Sequence, residues 1–264
     1  MVSWNIFPCF ALAAIALWLS GAVCSAFDAG RHPRQAVLAQ WLTVAGIVVY
    51  SAFIIGLWHS LGRPPLRTMG ETRLWYSLFM MLSGWMVYRQ WRYRWILGIS
   101  LMVASVFILI NIFRPEIHDH SLMPALQSLW FVPHVTVYMF SYSIFGCSAL
   151  MAVAGLWQGS GKYLPSADRL VGIGLLFLTL GMLSGCIWAK QAWGSFWNWD
   201  PKETWAAATW CAALVYIHLR LKRDSSPRAS CIWLILTFAL LQMCWYGVNL
   251  LPAAQGSMHT YFEQ

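Results

Sequence analysis

The sequence predicts an all-α fold, a polytopic membrane helix bundle of about eight transmembrane helices with both termini on the outer side. Three observations support this prediction. Charged residues make up 10% of the chain and hydrophobic residues 59%, whereas a soluble domain carries roughly 25% charged residues. Apolar runs of membrane-spanning length recur along the chain, and the basic residues cluster in the short stretches between these runs.

The predicted helices follow from the length of the apolar runs, because a membrane-spanning helix needs roughly 20 mainly apolar residues. Eight segments qualify, of which the third is the shortest: 5–26, 36–58, 74–88, 95–113, 131–157, 170–188, 201–220 and 229–250. No Lys or Arg precedes the first segment, so we expect a retained helix rather than a signal peptide. No long linker separates the segments, and residues 1–264 are expected to form a single integral membrane domain.

The distribution of the 17 Lys and Arg residues predicts the orientation, since eleven fall in one set of alternate loops and six in the other. The larger set marks the cytoplasmic side. Both termini and the loop at 193–205 then lie on the outer side. The basic clusters at 89–94 and 220–223 stand at helix ends, where topology and contact with lipid headgroups explain them better than nucleic-acid binding does.

The 7 cysteines stand singly, nearly all within apolar segments. None belongs to a Cys-x-x-Cys pair or to the Cys-x-x-Cys-His motif that anchors a c-type haem. We therefore expect packing residues. This pattern excludes a disulfide scaffold, a thioredoxin-like thiol pair and a c-type cytochrome.

The most distinctive segment is 193–205, which contains Trp193, Trp197, Trp199 and Trp205, with Gly194 after the first of them. A membrane-interface belt uses only a few aromatic residues at each helix end. The higher density here indicates either a flat apolar platform for a large planar ligand or a structural anchor in the interface.

Two histidines are predicted to lie near this loop. His134 begins the fifth segment and His259 follows the eighth, both on the outer side. Two imidazoles on opposite sides of a planar platform would supply the axial nitrogens of six-coordinate haem. The alternative is that each is an interfacial histidine with its ring tip in water.

The remaining histidines allow several interpretations. His218, inside the seventh segment, either snorkels toward the headgroups or ligates a cofactor that enters from the inner side. His118 and His120 resemble a metal-binding cluster, although a solvated polar loop is the simpler interpretation. His32 and His59 are expected at loop and boundary positions.

The tryptophan-rich segment also contains the sequence pattern of a helix start. Asp200, Pro201 and Glu203 suit the N-cap, N1 and N3 positions of a capping box. The seventh helix is therefore predicted to begin at Pro201, after an irregular or partly helical outer loop at 193–199. Lys202 would be either a counter-ion for a haem propionate or a solvated lysine.

The tryptophan-rich segment and several other motifs resemble those of a known family. The motif Trp-Gly-x-x-Trp-x-Trp-Asp at 193–200 is similar to the signature of the WWD haem-handling proteins of cytochrome c biogenesis. Its continuation through Pro201 to Trp205 resembles the CcsA/ResC branch rather than the CcmC branch. The similarity covers roughly residues 60–264. Besides the tryptophan motif, the matching positions are His134-Val135 with Ser141-Tyr142, residues 216–220, residues 247–250 with His259, and Pro65-Leu66 with Glu71 and Tyr76.

The resemblance implies roles for individual residues. His134 and His259 would ligate the iron of haem b beside the loop, and His218 would ligate haem within the membrane on its way out. The other haem-binding residues would be those of the motif: Trp193, Gly194, Trp197, Trp199, Asp200 and Trp205. The family's second intramembrane histidine resides in a CcsB/ResB partner, so this chain alone should be incomplete.

The implied function is haem export and covalent haem attachment to apocytochrome c, as the CcsA-like subunit of a cytochrome c synthase. The protein would lie in the bacterial inner membrane, in the lipid bilayer, with the WWD loop facing the periplasm. The thiols of the apocytochrome Cys-x-x-Cys-His motif would add to the haem vinyl groups, and a thioredoxin-like reductant system would keep them free. No catalytic acid–base residue and no nucleic acid are implied, and haem lyase activity would require the partner.

Three other functions are compatible with parts of the pattern. A CcmC-like protein that delivers haem to a carrier shares the tryptophan motif but not its continuation. A membrane b-type haem electron-transfer protein needs two histidines at matching depth within the membrane, where only His218 is well inside. A regulatory protein of the HemX type, which binds no haem, would need no complete tryptophan motif.

Overall fold

The computed structural model describes residues 2–27, 33–118, 128–222, 225–252 and 257. Their regular secondary structure is entirely helical, which confirms the predicted all-α fold class, and every predicted segment overlaps a helix. The α-helices are α1 (Phe7–Phe27), α2 (Pro33–Leu61), α3 (Met69–Trp91), α4 (Trp95–Phe113), α5 (Phe131–Trp157), α6 (Leu164–Trp193), α7 (Pro201–Leu221) and α8 (Pro227–Trp245). Short 3-10 turns cover Trp4–Ile6, Pro115–Ile117 and Gly247–Leu250.

Helix α3 is longer than its apolar run predicts, because its first turn is polar. Thr68 caps the helix: its hydroxyl accepts from the backbone N–H of Glu71 at 3.1 Å, and the Glu71 carboxylate accepts from the N–H of Thr68 at 3.1 Å. Glu71 is buried and forms an ion pair with Arg63 at 2.9 Å. A buried, paired carboxylate thus begins a helix where hydropathy alone shows none.

Six of the described helices are long and apolar enough to cross a membrane, namely α1, α2, α4, α5, α6 and α8. The chain is therefore a membrane protein. Helices α3 and α7 do not meet the same criterion of length and composition. The prediction of eight spans, and with it the orientation of the termini, stays a prediction.

The helices belong to two compact units, residues 1–122 with α1 to α4 and residues 123–264 with α5 to α8. Within each unit, every helix packs against its neighbours in the chain, and the first packs against the last. Such a closed ring of four helices is what short connections between antiparallel helices produce. The single membrane domain predicted from the sequence stays a prediction.

A row of glycines on α6 brings α5 and α6 close together in the second unit. A Cβ added to Gly174 would lie 3.1 Å from the ring of Phe145, and one added to Gly181 would lie 3.0 Å from the ring of Tyr138. The hydroxyl of Ser141 donates to the carbonyl oxygen of Gly174 at 2.8 Å. Small residues on one helix allow this approach, which side chains would otherwise prevent. We call this contact the α5–α6 seam.

Candidate functional site

His134 lies in the first turns of α5, with its ring half-buried in the α5–α6 seam. Its Nδ1 atom lies 2.8 Å from the carbonyl oxygen of Gly181. A carbonyl oxygen only accepts hydrogen bonds, so Nδ1 carries the proton. In the neutral ring Nε2 then holds the lone pair, which is the tautomer that ligates a metal through Nε2 while a carbonyl orients the ring.

Two neighbours fix the plane of this imidazole. A Cβ added to Gly185 would lie 2.7 Å from both Cε1 and Nδ1 of His134, so only a glycine leaves room for the ring in this position. Tyr138, one turn along α5, packs against the imidazole edge to face, with ring centroids 4.7 Å apart and planes at 88°. The imidazole is thus oriented by α5 and α6 together.

Trp188 connects His134 to the tryptophan-rich loop. Its buried ring lies against the imidazole, with centroids 5.3 Å apart and an interplanar angle of 29°. The same ring also packs against Phe131, with centroids 5.2 Å apart, and against Trp193, with centroids 4.8 Å apart. His134 is therefore separated from the first tryptophan of the motif by a single intervening ring.

The loop begins where Gly194 ends α6. Gly194 has a φ of +83°, in the left-handed region, and its N–H donates to the carbonyl of Lys190 at 3.1 Å. A glycine in this conformation is a common C-terminal cap. The following residues are irregular up to Asp200, as the sequence predicts. Trp197 and Trp199 pack edge to face with centroids 5.7 Å apart, which places the apolar rings of the motif next to each other.

Trp199 has an unusual backbone conformation, with a φ of +56°. The left-handed region costs a residue with a side chain roughly 1–2 kcal/mol. The Thr204 hydroxyl donates to the Trp199 carbonyl at 3.1 Å and supports this geometry, while Trp199 as a whole is 69% exposed. Backbone strain of this kind is frequent at functional sites, so Trp199 is a candidate ligand-binding residue.

Helix α7 begins at Pro201 with the predicted capping box. The Asp200 carboxylate accepts from the N–H of Lys202 at 3.0 Å, and the Glu203 carboxylate accepts from the N–H groups of Asp200 at 3.2 Å and Asn198 at 2.8 Å. Ser257 also donates to Asp200, with 3.0 Å between Oγ and Oδ1. The first turn of α7 therefore holds both the tryptophan loop and a residue from beyond α8.

The other histidine predicted to ligate haem at the loop, His259, lies outside the described residues, as do His32 and His120. The last tryptophan of the motif, Trp205, is half-buried on α7. In the described part of the chain no three His, Cys, Asp or Glu residues gather to hold a metal ion. Axial ligation of haem requires only imidazole nitrogens above and below the ring.

His218 lies in the last turn of α7 and is exposed on the helix surface. Its Nδ1 lies 2.7 Å from the carbonyl oxygen of Leu214, so here too Nδ1 carries the proton. Close by, Asp168 accepts from the Tyr216 hydroxyl at 2.7 Å and from Nε of Arg220 at 2.9 Å. This network joins the start of α6 to the end of α7 and fixes the turn that carries His218.

His134 and His218 belong to different places in the second unit. About 25 Å of helix separates Pro201, next to the tryptophan loop, from His218 at a rise of 1.5 Å per residue. A single haem cannot bridge that length. His218 is therefore separate from the site at the loop.

His118 is packed against other residues and is not the solvated loop residue that the sequence suggests. Its ring stacks on Trp4, with centroids 3.6 Å apart and planes at 6°, and a Cβ added to Gly70 would lie 2.6 Å from its Cδ2 atom. The residue packs within the first unit. His59 is exposed in the last turn of α2, at the boundary position that the sequence predicts.

Several residues of the site were not singled out by the sequence analysis: Tyr138, Gly181, Gly185, Trp188 and Ser257. Only the glycine spacing offered a signal, because two glycines four residues apart on an apolar helix indicate close approach of a second helix. The spacing does not reveal which side chain enters the space.

Known proteins are similar to this chain in sequence and in fold. Residues 65–254 match the family model of the cytochrome c assembly proteins. The cytochrome c biogenesis protein CcsA of Nicotiana tomentosiformis is 30% identical, with 82% of this chain and 84% of that protein covered. CcsA of Chlamydomonas reinhardtii is 36% identical over 61% of this chain and 50% of that protein.

Among solved structures, cytochrome c heme lyase CcmF has a similar fold, with a TM-score of 0.72 and 18% sequence identity. The similarity covers 97% of this chain and 49% of the solved chain, so this chain spans about half the length of that structure. At this identity the likeness concerns the fold. The family match rests on the sequence, and it includes both the tryptophan loop and His134. The chain belongs to the CcsA family of cytochrome c assembly proteins.

Proposed function

We propose that this membrane protein is the CcsA-like subunit of a cytochrome c synthase, which holds haem b at the tryptophan loop and presents it for covalent attachment to apocytochrome c. Membership of the CcsA family supports a role in cytochrome c biogenesis and haem handling. The observation that carries the proposal is His134. Its ring is oriented by the Gly181 carbonyl, has its lone pair on Nε2, and lies one indole away from the loop.

In this proposal haem is the substrate, and the chain supplies binding and orientation. His134 and His259 provide the two axial nitrogens, as the resemblance implies. The apolar face comes from the motif residues Trp193, Gly194, Trp197, Trp199 and Trp205. The Glu203 carboxylate accepts from the backbone N–H groups of Asn198 and Asp200 and so holds the end of the loop. Two imidazole ligands suit iron in its low-spin form and tune its potential.

The covalent step requires little acid–base chemistry from this protein. The two thiols of the apocytochrome Cys-x-x-Cys-His motif add across the two vinyl groups of haem. Each addition breaks one S–H bond and the π bond of one vinyl group and forms one thioether C–S bond and one C–H bond. A disulfide between the two cysteines could not add to the vinyl groups, so both must be kept as free thiols, whose thiolate is the nucleophilic form. We assign this reduction to a thioredoxin-like system. The histidine of the same motif then replaces one axial ligand, and the product leaves.

We further propose a second haem-binding position at the other end of α7. His218 is exposed there, oriented by the Leu214 carbonyl, and a CcsB/ResB-like partner would supply the opposing histidine. In this arrangement α3 and α7 also span the bacterial inner membrane, which makes eight spans with the tryptophan loop and both termini on the periplasmic side. The distribution of Lys and Arg supports this orientation.

The absorption spectrum of the purified protein tests the proposal. The chain is produced together with a CcsB-like partner under haem-replete conditions and purified in detergent. We expect non-covalent b-type haem with the spectrum of low-spin iron and two histidine ligands. A complex that contains no haem at all would show that the assignment is wrong. A complex that loads a haem carrier but attaches no haem to apocytochrome would support CcmC-like delivery instead.

Single substitutions identify the ligands. His134→Ala or His259→Ala should abolish cytochrome c maturation, and added imidazole should partly restore it by occupying the vacated axial position. The matched control is His59→Ala, because His59 is exposed at the end of α2 and outside the second unit. His118 is a poorer control, since its substitution removes the stack on Trp4. Unchanged maturation in either ligand variant would remove that histidine from the proposal.

A further inference from the structure

The carbonyl oxygen of Gly181 lies within hydrogen-bond distance of two side chains. Nδ1 of His134 is 2.8 Å away across the α5–α6 seam, and the hydroxyl of Ser184, on the same helix as Gly181, is 3.0 Å away. By the regular pattern of an α-helix, this oxygen also accepts from the backbone N–H of Gly185, four residues further along. Three donors therefore converge on one oxygen atom, which has two lone pairs.

Ser184 is the donor among these three that can be redirected. Its hydroxyl also lies 2.9 Å from the carbonyl oxygen of Leu180. A hydroxyl carries a single proton, and rotation about the Cβ–Oγ bond directs this proton to either carbonyl without moving a heavier atom. Ser184 is buried, with 8% of its surface exposed. The two carbonyls therefore compete for its proton in a place largely shielded from water.

A second acceptor distinguishes Ser184 from other serines within helices. Bonds from a serine hydroxyl back to a carbonyl in the preceding turn are common, and Ser148 of α5 donates in this way to the carbonyl of Ile144 at 2.9 Å. The Gly181 carbonyl, however, also orients His134. When the Ser184 proton points to Gly181, it draws electron density from the oxygen that His134 uses, so the bond from Nδ1 weakens. When the proton points to Leu180, the bond from Nδ1 strengthens.

The strength of the bond at Nδ1 matters for a metal bound at Nε2. A strong acceptor at Nδ1 raises the basicity of the imidazole, which then donates more electron density to the metal. Stronger donation favours ferric over ferrous iron and lowers the reduction potential, and hydrogen bonds around an axial ligand are one of the means by which a protein sets that potential. A competitor for the acceptor has the opposite effect.

We propose that Ser184 is a positioning residue that acts through His134. By sharing the Gly181 carbonyl, it limits the electron donation of the imidazole to the iron and keeps the reduction potential of the bound haem higher than His134 alone would set it. This inference rests on the proposed function, in which His134 is an axial ligand. Ser184 itself does not contact the haem in this scheme.

The bond at Nδ1 can be measured without haem. The protein is labelled with isotopic nitrogen in its histidines and purified free of haem, and the Nδ1–H resonance of His134 is identified by its loss in His134→Ala. In Ser184→Ala this proton resonance should move downfield, because the Gly181 carbonyl then serves one donor fewer and a stronger hydrogen bond deshields its proton. Ser184→Thr keeps the hydroxyl and should return the resonance toward its original position.

A redox titration measures the effect on the iron. The complex with the CcsB-like partner carries His218→Ala and is loaded with haem from outside, so that only haem at the tryptophan loop titrates. At the midpoint potential of this protein, addition of Ser184→Ala should give about threefold more ferric than ferrous haem. This ratio equals a downward shift of about 30 mV, at about 59 mV per tenfold change for one electron.

Ser148→Ala is the matched control. It removes a buried serine hydroxyl that donates to Ile144, about 15 Å along α5 from His134 at a rise of 1.5 Å per residue. Both the Nδ1–H resonance and the potential should stay unchanged. An equal change in Ser148→Ala and Ser184→Ala would overturn the inference, because it would reflect a general loosening of the helix packing.

The two measurements separate failure of this inference from failure of the proposed function. An unchanged Nδ1–H resonance in Ser184→Ala would overturn the inference and leave the proposed function standing, since that function does not depend on Ser184. A displaced resonance with an unchanged potential would show that His134 does not ligate the iron. That result would refute the proposed ligand set, and the effect of Ser184 on the iron with it.

Discussion

The imidazole of His134 donates from Nδ1 to the carbonyl oxygen of Gly181, with 2.8 Å between the two atoms. A carbonyl oxygen has two lone pairs, so one within a helix can accept from a side chain as well as from the backbone. Ser141 uses the carbonyl of Gly174 in the same way, two turns further along the seam. The glycines on α6 thus expose backbone acceptors to α5, and one of these acceptors selects the tautomer of His134.

Substitution of Gly185 should disturb the orientation of this histidine. In Gly185→Ala the new Cβ would lie 2.7 Å from Cε1 and Nδ1 of His134, so the ring must move and its bond to Gly181 lengthens. We expect a several-fold lower haem content, a loss of the low-spin spectrum and a corresponding loss of cytochrome c maturation. Spectra of the purified complex measure the first two effects.

Gly172 provides the control for this experiment. It lies on the same helix, and a Cβ added there would meet no atom within 4 Å. Gly172→Ala should leave the haem spectrum unchanged and should stabilise the helix by up to about 1 kcal/mol, since alanine is the better helix former. If both alanine variants bind haem normally, the space beside Gly185 is not needed to orient His134.

Substitution of Trp199 should separate stability from function. Trp199→Gly relieves the left-handed strain of roughly 1–2 kcal/mol, because glycine adopts this conformation readily. We expect an unchanged or higher unfolding temperature in detergent, together with a clear loss of bound haem. Trp199→Phe keeps an aromatic ring and should retain most of the haem. Normal haem content in Trp199→Gly would show that the indole only anchors the loop in the interface.

Substitution of His218 should affect the arrival of haem rather than its binding at the loop. His218→Ala should lower the amount of internally made haem at the tryptophan loop, while haem supplied from outside should fill the site normally. Val215, which is 42% exposed and lies three residues earlier on α7, is the control, because Val215→Ala changes the same helix face without removing an imidazole. Normal loading of His218→Ala from inside would place the export route elsewhere.

Topology reporters should decide whether α3 and α7 cross the membrane. With eight spans, reporters at 89–94 and 221–228 are cytoplasmic, whereas reporters at 193–205 and at the C-terminus are outside. The C-terminus alone is insufficient, because six spans also place it outside. The decisive positions are 89–94 and 193–205, which exchange sides if neither α3 nor α7 spans. A cytoplasmic loop at 193–205 would contradict the proposed position of the haem site.

The local features of the fold were predictable because their causes lie within a few residues of each other. The apolar runs indicate the helices through length and hydropathy alone. The start of α7 follows from Asp200, Pro201 and Glu203, which interact within one turn. The start of α3 was missed for a related reason: its capping box is equally local, but it precedes the apolar run, and a hydropathy criterion excludes a charged residue such as Glu71.

The contacts that define the site were not predictable from local patterns. His134 meets Gly181 and Gly185, and Asp200 meets Ser257, across separations of 47 to 57 residues. Such pairs depend on the rotation and axial register of packed helices. Small residues show where two helices can approach closely, but they do not indicate which side chain fills the space. The sequence alone therefore identified the helices, the tryptophan loop and its family. The tautomer of His134, the Trp188 ring beside it and the hydrogen bond between Asp200 and Ser257 arise only in the tertiary structure. A side chain that points away from its own helix acquires a partner only through tertiary contact.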